Sequence, residues 1–156
     1  MNVFVDTSAL VKLFHEEEGT EFMTELLMCP ANVVWLLDLA RLEFTSALYR
    51  RFRNKEVDER SLVQAMEGFE EELNRFHLEP MTHAVVDEAE NLLRIYGKSA
   101  GLRTLDALHL GCFCLISEIE WRFVSADNTL CETVTQMGYK ALNPLKADSF
   151  NREEEY

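Results

Sequence analysis

Residues 102–116 carry hydrophobic side chains that fall on every side at helical period, and this pattern predicts a helix buried on all faces. Asp106 lies near the start of this segment, although a carboxylate is costly to bury without a partner. In one interpretation Thr104 is the N-cap, and the helix dipole favours the charge of Asp106 in the first turn. In the other, Asp106 takes part in chemistry, and the positions of three further acids favour this second interpretation.

Short apolar runs alternate with helical patterns along the rest of the chain. Strands are predicted at 3–5, 32–35, 77–80, 121–125 and 139–142, with helices between them and the weakest strand signal at 77–80. This alternation predicts a parallel sheet covered by helices on both faces. In such folds ligands bind at the carboxyl ends of the strands, near the point where the strand order reverses.

Two acids directly follow predicted strands: Asp6 comes after the run at 3–5, and Asp127 comes after the run at 121–125. Because the carboxyl ends of parallel strands meet at one edge of a sheet, we expect these side chains to be neighbours. Each also has a structural alternative as a helix N-cap, a position that favours Asp.

Glu43 lies in the helix predicted at 39–53, outside the apolar stripe of that helix. Its neighbours one turn away are Ala40 and Ala47, so its carboxylate should overlook a space rather than a packed wall. The alternative is an ordinary solvated helix residue.

Four carboxylates that converge would repel one another unless a cation held them. Hard oxygen ligands suit Mg²⁺ or Mn²⁺ rather than zinc. One such ion, or two roughly 4 Å apart, can activate a water and stabilise the leaving oxygen in phosphodiester cleavage.

The formal net charge of −13 argues against non-specific binding to nucleic acid. Arg50, Arg51, Arg53 and Lys55 nevertheless cluster near the end of a predicted helix, which makes them candidates for contacts with RNA phosphates. The alternative is a solvated helix end, where cations complement the dipole.

The length of 156 residues predicts one domain, at 1–147, followed by an acidic tail at 148–156 that we expect to be loose. No apolar run is long enough to cross a bilayer, and the first residues lack the charged region of a signal peptide. The four cysteines lie among apolar neighbours without metal-ligand spacing. These features predict a cytoplasmic protein with reduced thiols and no membrane contact.

Four segments carry a family resemblance: Val5–Leu10, Glu43 with Ser46–Leu48, Leu102–Leu110 and Val124–Asp127. They closely resemble the PIN-domain ribonucleases, and most closely the VapC-type toxins of prokaryotic toxin–antitoxin pairs. The resemblance implies a three-layer α/β/α sandwich with a central parallel five-stranded sheet. It also implies an endoribonuclease site that depends on Mg²⁺ or Mn²⁺.

Carried over by position, the resemblance assigns the catalytic, metal-binding acids as Asp6, Glu43, Asp106 and Asp127. Ser8 and Ser125 match the hydroxyls that accompany those acids, and Arg103 lies at the edge of the site as a further candidate phosphate contact. His109 also has a match in the family, but we assign it no catalytic role at this stage.

The resemblance further implies an RNA substrate and a cognate antitoxin protein whose segment fills the active-site groove. A homodimer is expected as well, because the apolar helix surfaces at 62–76 and 85–93 exceed what one sheet face easily covers.

Two other functions are weighed against the nuclease. The first is a non-catalytic PIN-like module that binds RNA or protein. The second, less favoured, is a doubly wound phosphatase-type phosphoryl-transfer domain with Asp6 as its nucleophile. That chemistry would need a further acid one or two positions beyond Asp6, or a lysine near the end of the sheet, and Thr7 and Ser8 supply no such acid.

Overall fold

The computed structural model of the chain describes residues 1–14 and 16–146, so the predicted tail at 148–156 lies outside the described residues. The strands are β1 (Asn2–Val5), β2 (Val33–Leu37), β3 (His77–Glu79), β4 (Arg122–Val124) and β5 (Lys140–Leu142). The helices are α1 (Thr7–Leu10), α2 (Thr20–Met28), α3 (Leu39–Arg53), α4 (Glu59–Leu73), α5 (His83–Tyr96), α6 (Thr104–Ile116) and α7 (Asn128–Gln136), with a 3₁₀ turn at Val11–Leu13. Each of the five predicted strands is therefore present, including the weak one at 77–80.

The five strands form one parallel sheet in the order β3-β2-β1-β4-β5. The chain moves outward from β1 in one direction through β2 and β3, and then returns to the other side of β1 for β4 and β5. The strand order thus reverses between β1 and β4, which is where a parallel sheet opens a crevice at its carboxyl edge.

Side chains of the central strand alternate between two hydrophobic cores, as the two-residue period of a strand requires. Val3 and Val5 pack into the core that α1 to α4 cover, whereas Phe4 packs into the core that α5 to α7 cover. All three side chains are fully buried. The predicted three-layer α/β/α sandwich with its parallel five-stranded sheet is confirmed.

The apolar stripes that suggested a dimer are largely buried within the monomer. Leu62, Phe69 and Leu73 of α4 lie in one core, and Val85 and Leu92 of α5 lie in the other. The two sides of the sheet cover more helix surface than the sequence argument allowed, so these stripes give no support for a homodimer, which stays a prediction.

Gly111 of α6 provides a test of how closely α5 and α6 pack. A Cβ at this position would lie 3.0 Å from the backbone nitrogen of Ala89 and 3.1 Å from the carbonyl oxygen of Val85. Gly111→Ala is expected to destabilise the fold by about 1 kcal/mol. Overpacking costs about 1–3 kcal/mol, and the higher helix propensity of alanine offsets about 1 kcal/mol of that cost.

Gly68→Ala in α4 is the matched control. Its added Cβ would meet the Phe14 ring at 3.7 Å, an ordinary contact, so we expect it to stabilise the fold by up to about 1 kcal/mol. Urea unfolding followed by circular dichroism measures both variants. Equal shifts in the same direction would contradict the close packing of α5 on Gly111.

All four cysteines are unpaired, as predicted. Burial raises the pKa of the Cys112 and Cys114 thiols to about 12, which makes both poor nucleophiles at neutral pH. Among the described residues, no helix is long and apolar enough to cross a membrane.

Candidate active site

Asp6 occupies the point at which the strand order reverses, directly after β1. Its backbone N–H donates to the carbonyl oxygen of Val124 at the end of β4, at 2.9 Å, and its side chain is almost fully buried. Oδ2 accepts hydrogen bonds from the Ser8 hydroxyl at 2.5 Å and from the Ser125 hydroxyl at 2.9 Å. Asp6 is the N-cap residue of α1, as predicted, but its side chain makes no capping hydrogen bond and binds the two serines instead.

The two serines also tie the ends of β1 and β4 together. The Ser8 hydroxyl accepts from the backbone N–H of Ala126 at 3.0 Å, and the Ser125 hydroxyl accepts from that of Asp127 at 3.1 Å. Ser125 is fully buried and is not among the residues that line the acid cavity, whereas Ser8 is half-buried and lines it. Both hydroxyls bind Asp6 Oδ2 and leave its Oδ1 free of hydroxyl donors.

Glu43 is held from the opposite side by α1 and α6. Its Oε2 accepts from the Thr7 hydroxyl at 2.7 Å and contacts His109 Nε2 at 2.5 Å. His109 is only 1% exposed, and among the described residues its Nδ1 has no hydrogen-bond partner. Glu43 is accordingly a fixed carboxylate with one engaged oxygen, not a solvated helix residue.

The electrostatics of this pair agree with its geometry. Burial on its own would raise the pKa of the Glu43 carboxyl, but the hydrogen bond and charge of His109, with the Thr7 hydroxyl, hold that pKa below its ordinary value. Burial likewise opposes a charged His109. The hydrogen bond to Glu43 and the charges of Asp6, Glu43 and Asp106 outweigh it and raise the imidazole pKa. The lowered pKa of Glu43 and the raised pKa of His109 both favour the charged forms, so the two side chains form a buried ion pair.

Asp106 and Asp127 face each other across Arg103. Arg103 Nε donates to Asp106 Oδ2 at 2.8 Å, and its terminal nitrogen Nη2 donates to Asp127 Oδ2 at 3.1 Å. Burial, together with the charges of Asp6 and Asp127, raises the pKa of the Asp106 carboxyl above its ordinary value in spite of Arg103.

The capping predictions for these two acids are settled by their contacts. Asp127 Oδ1 accepts from the backbone N–H of Leu130 at 3.1 Å, so Asp127 does cap α7 while its second oxygen faces Arg103. The N-cap of α6 is Arg103 rather than Thr104, and no side chain caps that helix. Asp106 lies in the first turn of α6, as predicted.

One cavity of about 760 Å³ brings the predicted acids together. Its lining includes Asp6, Ser8, Glu43, Arg50, Arg103, Asp106 and Asp127. Four separate elements thus supply the four carboxylates: the end of β1, helix α3, the first turn of α6, and the end of β4.

The predicted basic residues divide into two groups. Arg50 and Arg103 line this cavity. Arg51 instead lines a neighbouring cavity of about 1100 Å³ and lies 3.4 Å from a Glu17 oxygen. Arg53 and Lys55 are not among the residues that line the acid cavity. Helix α3 ends at Arg53, and Lys55 lies in the turn that follows, with a left-handed φ of 60°. The basic cluster is therefore only partly directed at the acids, because the helix ends and turns away.

The donor set fits a hard divalent ion. Carboxylates and hydroxyls converge on the cavity, and no thiol is among its lining residues. As the described side chains stand, no three acidic, histidine or cysteine residues point at one position that could hold a metal. The reason is visible in the contacts: Glu43 turns toward His109, while Asp106 and Asp127 turn toward Arg103.

Sequence reasoning missed the functions of Thr7 and His109. Thr7 immediately follows Asp6, and helix geometry turns its hydroxyl toward Glu43 instead of toward the strand edge. His109 lies three residues after Asp106, so the two share one face of α6, and that spacing was an available signal. The contact with Glu43 joins residues from two different helices, which spacing along the chain does not reveal.

Comparisons with known proteins agree with this architecture. A family model described as the PIN domain matches residues 3–134. No curated protein matches the chain by sequence.

Several solved structures share the fold. VapC20 of Mycobacterium tuberculosis, described as a sarcin–ricin loop cleaving toxin, is 17% identical with a TM-score of 0.68, over 91% of this chain and 99% of that one. FitAcB of Neisseria gonorrhoeae is 14% identical with a TM-score of 0.67, over 92% and 99%. VapBC2 of Rickettsia felis, bound to a DNA fragment from its promoter, is 13% identical with a TM-score of 0.60, over 92% and 98%. Identities this low establish the shared fold, and the family model covers most of the sequence: the chain belongs to the PIN domain family.

Proposed function

We propose that this protein is a metal-dependent endoribonuclease, the toxin of a toxin–antitoxin pair, with Mg²⁺ or Mn²⁺ as its cofactor. The observation that carries the proposal is the convergence of Asp6, Glu43, Asp106 and Asp127 on one cavity at the reversal of strand order. Family membership and the toxin structures of similar fold support the same activity.

In this proposal the four acids are the metal ligands and the catalytic residues. A bound divalent ion would supply a nucleophilic water and charge stabilisation for the leaving oxygen. The protein holds the ligands in place: Ser8 and Ser125 fix Asp6 Oδ2, and Thr7 with His109 fixes Glu43 Oε2. Asp6 Oδ1 lies 3.9 Å from His109 Nε2, so the same imidazole is close to both carboxylates.

Arg50 is the candidate contact for an RNA phosphate. It lies on the wall of the acid cavity, and its cation offsets part of the negative field that the acids and the net charge of −13 present to RNA. Arg51, Arg53 and Lys55 remain candidates for contacts with a longer RNA outside the cavity.

Cleavage of RNA by the purified protein tests the proposal. Incubation with total RNA and Mg²⁺ or Mn²⁺, followed by sequencing of the new 5′ ends, is expected to give cuts at defined sites. EDTA should stop the reaction, because in this proposal the nucleophilic water and the leaving oxygen both depend on the bound ion. Undiminished cleavage in EDTA would contradict metal dependence. Intact RNA from a protein that binds Mn²⁺ would favour the non-catalytic module instead.

An antitoxin partner and a homodimer belong to the same proposal. Complexes among the structures of similar fold support the partner: one is a toxin–antitoxin complex from Klebsiella pneumoniae, and another is VapBC-1 from Haemophilus influenzae. The acid cavity would suit a basic segment of such a partner. We also propose a cytoplasmic location and a single domain at 1–147. Sedimentation of the complex purified from its native host measures both partner and stoichiometry.

A further inference from the structure

Arg103 makes an unusual contact for a residue at the edge of an acidic cavity. Its guanidinium bridges Asp106 Oδ2 at 2.8 Å and Asp127 Oδ2 at 3.1 Å. Its side chain is 70% exposed, whereas those of the two acids are 19% and 31% exposed. One surface cation is therefore shared by two carboxylates that are much less exposed than it is.

The other two acids are held in a different way. The half-buried Ser8 hydroxyl and the buried Ser125 hydroxyl bind Asp6, and the Thr7 hydroxyl with the buried His109 imidazole binds Glu43, each through one carboxylate oxygen. Of these partners, Thr7, His109 and Ser125 are buried. Arg103 is attached by a flexible, solvated side chain, so its contacts can break at little cost.

The Asp127 oxygen that Arg103 occupies is the one that an ion would need. Asp127 Oδ1 already accepts from the N–H of Leu130, which leaves Oδ2 as the available oxygen of that residue. Arg103 takes this oxygen. A divalent ion and the guanidinium would also repel each other if both lay against Asp106 and Asp127.

We propose that Arg103 is an internal competitor of the divalent ion, pairing Asp106 and Asp127 until the ion displaces it. This inference rests on the proposed function, because it takes the two acids as metal ligands. The displaced guanidinium remains anchored at the N-cap of α6, on the wall of the same cavity, where it becomes free to bind an RNA phosphate. Metal binding and RNA binding are coupled through this one side chain.

Isothermal titration of Mn²⁺ into the metal-free protein, without RNA, tests the competition directly. Arg103→Gln is expected to bind Mn²⁺ about tenfold more tightly than the wild type, the order expected when one unit charge is removed beside an exposed divalent site. Arg50→Gln is the matched control: it removes the same charge from the same cavity, but Arg50 makes no ion pair with the acids in the described part of the chain. Its Mn²⁺ affinity should change less than about twofold.

Thermal melting provides a second readout. Without metal, Arg103→Gln should melt below the wild type, because Asp106 and Asp127 lose their shared cation. With saturating Mn²⁺ the difference should shrink or reverse, since tighter binding stabilises the folded state more. A purely structural role for Arg103 would lower both melting temperatures equally.

The possible outcomes separate the two proposals. Equal or weaker Mn²⁺ binding by Arg103→Gln, with normal binding by the wild type, would overturn the competition alone. Equal tightening in Arg50→Gln would overturn it too, because a general charge effect would then explain the result. Absence of Mn²⁺ binding in the wild type would overturn the competition and the proposed metal-dependent function together.

Discussion

Replacing Asp106 with asparagine is expected to reduce RNA cleavage at least about a hundredfold while the fold stays intact. The amide keeps the shape of the side chain but removes the charge that a hard divalent ion requires. Both the attacking water and the leaving oxygen depend on the placement of that ion, so losing one ligand charge affects the transition state directly.

The stability of the Asp106→Asn variant should hold or rise. The raised pKa of this carboxyl means that the folded state disfavours its charged form, so the charge costs stability once the pH exceeds that pKa. Asparagine removes this cost, although it also weakens the contact with Arg103. Melting temperature and cleavage rate should be measured side by side, in Mg²⁺ and in EDTA.

Asp87→Asn is the control for the same chemical change elsewhere. Asp87 lies on α5, is exposed, and pairs at 3.7 Å with His83, on the outer side of that helix. The Asp87→Asn variant should cleave RNA as the wild type does. If Asp106 were only a partner of the helix dipole, its replacement would instead cost about 0.3–1 kcal/mol of stability and leave cleavage unchanged. That result would contradict the active-site assignment.

His109→Leu is expected to lower kcat about a hundredfold, because a misplaced ligand near the reacting atoms can cost that much. The imidazole is a positioning group: it contacts Glu43 Oε2 from below and lines no part of the cavity. Leucine fills much of the same space but cannot donate, which leaves Glu43 with Thr7 as its hydrogen-bond donor. The carboxylate is then free to rotate away from its position in the site.

His109→Gln provides the conservative comparison. Its amide nitrogen can reach the position of Nε2 and donate to Glu43, so this variant should recover most of the lost kcat and the Mn²⁺ affinity. If His109 were merely structural, the loss of kcat would follow the loss of stability. The polar Gln would then be the worse replacement, because the site is only 1% exposed. Equal loss of kcat in the Leu and Gln variants, at equal melting temperatures, would contradict the positioning role.

The amphipathic and buried segments could be predicted from the sequence, because the spacing of apolar residues along a helix or strand indicates which of its faces are buried. Helix α6 (Thr104–Ile116) is largely buried, although Leu105 and Leu115 are exposed, so the prediction that it is buried on all faces is only partly right. The run at 3–5 is a strand buried on both sides. Asp6 and Asp127 could be placed at strand ends from the sequence, since turning points after apolar runs are local features. Their side-chain contacts were not predictable: both acids are N-cap residues, but only the Asp127 side chain makes a capping hydrogen bond.

Side-chain pairing depended on the strand order, which local sequence does not encode. Ser125 reaches Asp6 because β4 pairs with β1 in the sheet. His109 reaches Glu43 because the fold brings α6 close to α3. The position of Arg103 is a further example. From the sequence, Arg103 was expected at the edge of the site as a contact for an RNA phosphate. In the fold it pairs with Asp106 and Asp127.

The sequence by itself therefore determined the strands and the α/β/α class, since these depend on the polarity of near neighbours along the chain. Together with the family resemblance it also singled out the four acids that line the cavity. The tertiary structure decided which oxygen of each acid is engaged, which arginines face the cavity, and which apolar stripes are covered. These depend on distances between residues far apart in sequence, and such distances follow from the packing of all the elements together.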